Sequence, residues 1–403
     1  MPTFSLLADP AGYVPCSTEN MHVDHEYREH WLTHFEHHFE SILKLALDNY
    51  GPSAAPRIAA CRTDFVALLH QIRANPHILP RLDLLVLDVL RQEKLIAHGL
   101  PDPFEKTKAR ENQTSLAMYR RVVDELDSHT SDHEALLLAV EGVFAGNIFD
   151  LGAGATTKMF AENNAPDFFT VRNGLDGKRP WLVDHFDAMA QAILSAPGSA
   201  GGARAAQLSI PNKSSAHASP HAPPAEPGAD AHTPRHKQAM FFCDNAGSDF
   251  VLGVVPLCRW LARRAGGGTR VLIAANRLPA LNDMTVAEVK ALLPHLQAID
   301  PVLDSLVKIG RISAIDSGNG TPLIDLREVS DEVNHHAPQT DLLIIEGMGR
   351  AVESNFEAPF TVDTVKLAMI KEEIVARRHG GKNFDTICRF DAATDKRATN
   401  EHE

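Results

Sequence analysis

The stretch Ala239-Met-Phe-Phe-Cys-Asp-Asn-Ala-Gly-Ser-Asp249 reads as a short apolar strand that stops abruptly in a turn of polar and small residues. The apolar run Val251-Leu-Gly-Val-Val-Pro-Leu257 follows and fits the start of a buried helix. In an open α/β sheet, ligands gather where strands end at their carboxyl edge. Asp244 and Asn245 are therefore expected at that edge, with Gly247 freeing the backbone to turn. A carboxylate beside an amide oxygen is a pair of hard donors that suits Mg²⁺ or Mn²⁺ better than zinc. Taken alone, the stretch fits a purely structural turn equally well.

The next two units supply the context. Arg270-Val-Leu-Ile-Ala-Ala275 is a second strand of buried type, and the loop Asn276-Arg-Leu-Pro-Ala-Leu-Asn-Asp-Met-Thr285 follows it. Thr285 with Glu288 three residues on is a capping-box signature, which puts Asp283 in the loop just before a helix. Two βα units thus bring Asp244, Asn245 and Asp283 to one rim as an oxygen-rich metal site with open positions for water and phosphate. A third unit repeats the placement: the strand Asp341-Leu-Leu-Ile-Ile345 ends in Glu346-Gly-Met-Gly-Arg350. Gly347 and Gly349 let backbone N–H groups approach an anion, and Arg350 offers a forked donor matched to phosphate. Thr361-Val-Asp-Thr-Val-Lys-Leu-Ala-Met369 reads as a helix with Lys366 about one turn inside. A lysine there opposes the helix dipole unless an anion is bound; a solvated lysine is the alternative.

Composition bounds the reading. The chain has 403 residues, 44% apolar and 23% charged, which is enough for one large domain or two ordinary ones. A formal charge of −13 argues against nucleic acid or an anionic membrane as partner, but not against a phosphorylated small molecule. The five cysteines are scattered without a CxxC, so neither a disulfide framework nor a cysteine zinc site is indicated. No apolar run approaches the roughly 18 residues of a membrane span, and the N-terminus does not resemble a signal peptide. A cytoplasmic protein is expected; its oligomeric state is left open.

Before Ala239 the pattern is helical. Trp31, Phe35, Phe39, Ile42, Leu43 and Leu47 recur at helical spacing in a segment rich in histidine. His30 and His34 stand one turn apart, a geometry that can bind metal; a packed or solvated histidine face is the plainer reading. Further helical stretches cover 57–73, 82–99, 104–126 and 133–144, and another is expected to open at Arg179-Pro-Trp181 with Pro180 in its first turn. In Phe144-Ala-Gly-Asn-Ile-Phe-Asp-Leu-Gly-Ala153, Asn147 or Asp150 either closes a helix or is lent to the site. Residues 196–236 are dominated by Ala, Pro, Ser, Gly and His and are expected to be a disordered insertion. After them, strands near 239–243, 270–275, 311–316 and 341–345 alternate with helices, and Phe384–Phe390 reads as an edge strand. The expected fold is α/β: a helical N-terminal region (1–195) packed on an α/β/α sandwich with a largely parallel sheet (237–403).

Together, Asp244-Asn-Ala-Gly-Ser-Asp249, the 276–285 loop and Glu346-Gly-Met-Gly-Arg350 resemble the damage-control phosphatase family, formerly domain of unknown function 89. The Glu-Gly-Met-Gly-Arg sequence resembles the mark of its subfamily II, which includes plant stand-alone proteins and the C-terminal domain of an animal pantothenate kinase paralogue. The likeness extends upstream to Asn147-Ile-Phe-Asp-Leu-Gly152 and Arg179-Pro-Trp181. It implies a phosphatase that depends on a divalent ion (Mn²⁺, Mg²⁺, Co²⁺ or Ni²⁺) held by Asp244, Asn245 and Asp283. Asp244 and Asp283 would be catalytic, the attack coming from Asp244 itself or from a water on the metal. Substrate would be bound by Asn147, Glu346, Gly347, Met348, Gly349, Arg350 and Lys366. Asp363-Thr-Val-Lys366 lacks the arginine of the Arg-Thr-x-Lys motif found in another subfamily. The implied substrate is 4′-phosphopantetheine or its oxidised forms; a sugar-phosphate phosphatase and a sensor without turnover are the rivals. Asp249 is expected to cap the following helix rather than to accept a proton. Three other chemistries fit poorly. A haloacid-dehalogenase site needs a second Asp where Ala246 stands, no P-loop is present, and Asp150-Leu-Gly-Ala-Gly154 has no strand before it to make a methyltransferase loop.

Overall fold

The computed structural model describes residues 1–148, 167–175, 179–195, 235–264 and 268–393. Seven strands form one sheet: β1 (Val183–Asp184), β2 (Gln238–Phe242), β3 (Arg270–Ala275), β4 (Ile312–Asp316), β5 (Leu342–Glu346), β6 (Asp363–Met369) and β7 (Thr386–Asp391). Their order is β1-β7-β6-β5-β2-β3-β4. Strands β2 to β6 run parallel, while β7 pairs antiparallel with β6 and carries β1 parallel to itself at the edge. Such strands are covered on both faces, which is why they read as unbroken apolar runs. From β2 the chain steps through β3 to β4 on one side, then crosses to β5 and β6 on the other. The order reverses between β2 and β5, so the crevice at their carboxyl ends is the topological switch point.

Five long helices precede the sheet: α1 (His25–Tyr50), α2 (Ala55–Ala74), α3 (Leu84–Ala97), α4 (Glu105–Ser128) and α5 (Asp132–Asn147). Asp24, Asp83 and Ser131 cap α1, α3 and α5 through their side chains. The remaining α-helices among the described residues are α6 (Phe168–Asn173), α7 (Phe186–Leu194), α8 (Val255–Arg263), α9 (Val286–Ile299), α10 (Pro301–Lys308), α11 (Asp331–His336) and α12 (Glu373–Arg378). Alternate sheet residues face opposite layers. Phe241, Ile273 and Ile344 meet α4, α5, α8 and α9, whereas Met240, Leu272 and Leu343 meet Phe4, Tyr13, Leu326 and Val333. A third core lies over the carboxyl end of the sheet, where α1, α2 and α3 pack on Leu323, Met348, Val352 and Ile370. No helix among the described residues is long and apolar enough to cross a membrane.

The structure corrects three expectations. Thr361–Met369 is not helical: Asp363–Met369 is β6, buried at every position. A strand covered on both faces lacks polar alternation, so its pattern does not separate it from a buried helix. No helix starts at Arg179; Arg179 instead forks onto Asp184 and Asp187, β1 follows, and the helix begins at Phe186. The segment after Asp244 does not enter an α-helix directly but a π turn, Asp249–Val254, and a second π turn, Met348–Glu353, follows β5. Of the expected insertion, 196–234 lies outside the described residues, whereas His236 is buried with Nε2 2.9 Å from Asp363.

The capping box is present: Thr285 Oγ1 accepts from the Glu288 N–H at 3.2 Å, and Glu288 Oε2 accepts from the Thr285 N–H at 2.8 Å. It anchors the loop that carries Asp283. Replacing Thr285 by Ala should cost about 1 kcal/mol, read as a lower urea midpoint at unchanged slope.

Candidate active site

Asp244, just beyond the end of β2, is the hub of the switch-point crevice. Its Oδ1 accepts from Arg350 Nε at 2.9 Å, and its Oδ2 accepts from Asn245 Nδ2 at 2.8 Å and Asn147 Nδ2 at 3.3 Å. Its backbone N–H donates to Glu346 Oε2, the last residue of β5, at 2.8 Å. Gly347 has φ of 104°, and a Cβ there would fall 2.4 Å from Asp244 Cγ. Only glycine leaves room for this carboxylate.

Two groups meet at Asp244. On one side Arg350 reaches past it, donating from Nη2 to Asp283 Oδ2 at 2.5 Å and from Nη1 to Asn276 Oδ1 at 3.3 Å. On the other side Asn147, the last residue of α5, donates from Nδ2 to Asp249 Oδ2 at 2.8 Å and to Glu346 Oε1 at 2.9 Å. Asp249 Oδ2 also accepts from the Asn245 N–H at 3.2 Å. Asn245 and Asp283 are tied by a backbone bridge, so the 276–285 loop is locked to the turn after β2. Lys371, beyond the end of β6, donates from Nζ to the Asn147 carbonyl at 3.1 Å.

The charge balance is uneven. Asp244, Asp249, Asp283 and Glu346 are all buried, and the buried cations beside them are Arg350 and Lys371. Four acids against two cations leave a deficit of positive charge. Burial, reinforced by Asp244, pushes Asp249 up to about 7. Burial, with Asp249 and Asp244 adding, pushes Glu346 well above the carboxylate range. Oxygens of Asp244, Asp249 and Glu346 lie within 4.8 Å of one another, and Asp249 Oδ1 and Asn147 Oδ1 are buried without a partner. An oxygen-only donor set short of positive charge fits a hard divalent ion.

A cavity opens onto this cluster, and Asp244, Asn245, Asn282, Asp283, Gly349 and Lys371 are in its wall. Met348 is in the wall too, with its sulfur 3.2 Å from the Lys371 backbone nitrogen. Asn147, Asp249, Glu346, Gly347 and Arg350 are not; they stand behind Asp244. Lys366 is not part of the site: its ammonium bonds the Phe356 and Ala358 carbonyls at 2.7 and 3.1 Å and Asp391 at 3.3 Å. Asp249 does not cap a helix but joins the acidic cluster. Lys371 was not singled out from sequence, although it ends an apolar run as Asp244 and Glu346 do. The histidine-rich helix turns out to pack inward, with His34 and His38 in the cavity wall. Asp150 and the loop around it lie outside the described residues.

The profile of the Damage-control phosphatase ARMT1-like domain matches residues 35–387. The chain belongs to the damage-control phosphatase family. Relatives named as phosphatases are Damage-control phosphatase At2g17340 of Arabidopsis thaliana, 31% identical over 89% of this chain and 87% of that one, and the mouse 4′-phosphopantetheine phosphatase, 27% identical over 96% of this chain and 48% of that one. The chain is also 33% identical over 96% of its length to Pantothenate kinase 2 of Arabidopsis thaliana, of which it spans 41%. Among solved structures, a duf89 family protein of Pyrococcus horikoshii shares the fold at a TM-score of 0.54, with 18% identity over 89% of this chain and 96% of that one.

In this member of the family, Arg350 holds two buried carboxylates that repel each other. Arg350→Met should lower unfolding stability by about 3–5 kcal/mol, because Asp244 and Asp283 lose their shared partner. Urea denaturation in EDTA measures the loss, and Mn²⁺ should restore part of it.

Proposed function

We propose that the chain is a divalent-metal-dependent phosphomonoesterase whose substrate is 4′-phosphopantetheine or its oxidised forms. The observation that carries this reading is that Asp244, Asn245 and Asp283 all face the cavity, with Lys371 in the same wall, while Asp249 and Glu346 lie behind. A phosphate must reach its metal from the cavity, so the three cavity-facing residues are the ones we assign as ligands. A divalent ion bound there would neutralise phosphoryl charge and orient in-line attack.

The chain's own residues do the positioning. Arg350 fixes Asp244 and Asp283 at a set separation, so the ligands need no rearrangement to receive a charge. Asn147, Asp249 and Glu346 brace Asp244 from behind through the Asn147 amide. Lys371 holds a phosphoryl oxygen, and Gly349 keeps that wall free of a side chain. The substrate follows from the mouse relative's name, and the expected compartment remains the cytoplasm, where the five free, buried cysteines stay reduced.

Phosphate release tests the reading. Turnover of 4′-phosphopantetheine should require Mg²⁺, Mn²⁺, Co²⁺ or Ni²⁺, stop in EDTA, and fall by at least about 100-fold in Asp283→Ala and in Lys371→Met. Undiminished metal-dependent release in Asp283→Ala would refute the ligand assignment. Tight binding of substrate with no release under any metal would make the protein a sensor.

A further inference from the structure

Helix α4 changes character along one face. Lys108, Asn112, Ser115, Tyr119, Val122 and Leu126 recur at spacings of four and three, so they form a single stripe. Its second half is apolar, as a helix packed on a core requires. Its first half is polar, yet Lys108 and Ser115 are only 1% and 2% exposed. Polar groups taken out of water are costly unless each meets a partner. The partners across this interface lie on the two loops that carry Asp244, Asn245 and Asp283, or directly brace them.

The first loop is the turn after β2. Asn112 Oδ1 accepts from the Gly247 N–H at 2.8 Å, and Ser115 Oγ stands 3.3 Å from Ser248 Oγ. Gly247 has φ of 73°, and a Cβ there would fall 2.9 Å from Glu111 Cβ, so this turn lies directly against the helix. The second loop is 276–285, which ends in the capping box. Glu288 Oε2 accepts from the Thr285 N–H at 2.8 Å, while its Oε1 lies 2.7 Å from the Lys108 ammonium. Asp102 Oδ2 flanks the same ammonium at 2.9 Å, and its Oδ1 accepts from the Phe104 N–H at 3.1 Å. Well-packed apolar residues would stabilise such a buried contact equally well. They would not hold the Glu288 carboxylate, and with it Thr285, in one direction.

The loops are also tied to each other, the Ala246 N–H donating to the Asn282 carbonyl and the Met284 N–H to the Asp244 carbonyl, both at 2.9 Å. Arg350 joins the side chains of Asp244 and Asp283, whereas α4 holds the backbones that carry them. Resting on the reading of Asp244, Asn245 and Asp283 as ligands, we propose that Lys108 and Asn112, with Ser115, are positioning residues. Their face of α4 sets the spacing of the two ligand loops, and so the affinity of the site for its divalent ion. Among the described residues of the cavity wall none belongs to α4, so any effect on the ion passes through the loops.

Calorimetric titration of the full chain with Mn²⁺ provides the test. Asn112→Ala and Lys108→Met should each weaken Mn²⁺ binding at least about tenfold, as loss of a group that orients metal ligands does. Asn112→Asp, which keeps an oxygen facing the Gly247 N–H, should restore it. Tyr119→Phe separates a purely structural role: Tyr119 lies on the same stripe, but its hydroxyl donates to Asp300, between α9 and α10, at 3.1 Å. Its loss should lower the urea midpoint and leave Mn²⁺ affinity unchanged. Native affinity in Asn112→Ala or in a folded Lys108→Met, no rescue by Asn112→Asp, or an equal loss in Tyr119→Phe would overturn the proposal. If the native protein binds no Mn²⁺, the ligand assignment fails, and hydrogen exchange in EDTA decides the role of α4 alone. The Ala246 and Met284 amides should then exchange at least about tenfold faster in Asn112→Ala, and no faster in Tyr119→Phe; unchanged protection in Asn112→Ala overturns it.

Discussion

Arg350 lies wholly inside the protein and makes one planar fork serve Asp244, Asp283 and Asn276. Two carboxylates taken out of water this close together would repel strongly and each lose its hydration. The guanidinium answers both costs, because it stays charged when buried and presents donors in a fixed plane. Although burial disfavours its own charge, Asp283 and Asp244 more than compensate and hold it protonated. Everything else at the crevice is arranged to let that fork arrive: Gly347 leaves space for Asp244, and the turn after β5 aims the arginine across β2 towards the 276–285 loop.

That geometry is a product of topology. Strands β2 and β5 are neighbours in the sheet but belong to opposite halves of the winding. Their carboxyl ends therefore open into the same crevice with no helix crossing over it. The N-terminal helices close this opening. Helix α5 delivers Asn147 to the base of the cluster, and α1 and α3 form the far wall of the cavity. The helical region thus builds part of the cavity wall, and the family profile runs from within α1 through the sheet.

Much of this was legible in the chain. The strands ending at Asp244, before Asn276 and at Glu346 announced themselves as apolar runs cut off by small polar residues, and Thr285 with Glu288 fixed the start of α9. Three features were hidden for physical reasons. Lys371 was missed because β6 is buried on both faces, so its pattern resembles a helix and drew attention to Lys366, which sits within the strand and bonds loop carbonyls. Asp249 stands where a helix-capping acid belongs, and only the wider turn of the π conformation swings it inward. The stripe Trp31, Phe35, Phe39 and Ile42 showed that α1 has a buried face, but periodicity cannot tell a packed face from one that borders a cavity.

The two π turns carry a further consequence. Each is a helical turn holding one more residue than an α-helix would, with Val255 N–H reaching back to Phe250 and Ser354 N–H to Gly349. Removing that extra residue would restore ordinary helical bonding and leave the surrounding layers intact. It would also rotate the first turn by about 100° and carry Asp249 or Arg350 away from Asp244. The crevice is therefore encoded in residue count as well as in residue type. Every residue of these two segments except Gly349 is buried, and a change of length by a single codon dismantles the site while sparing the fold.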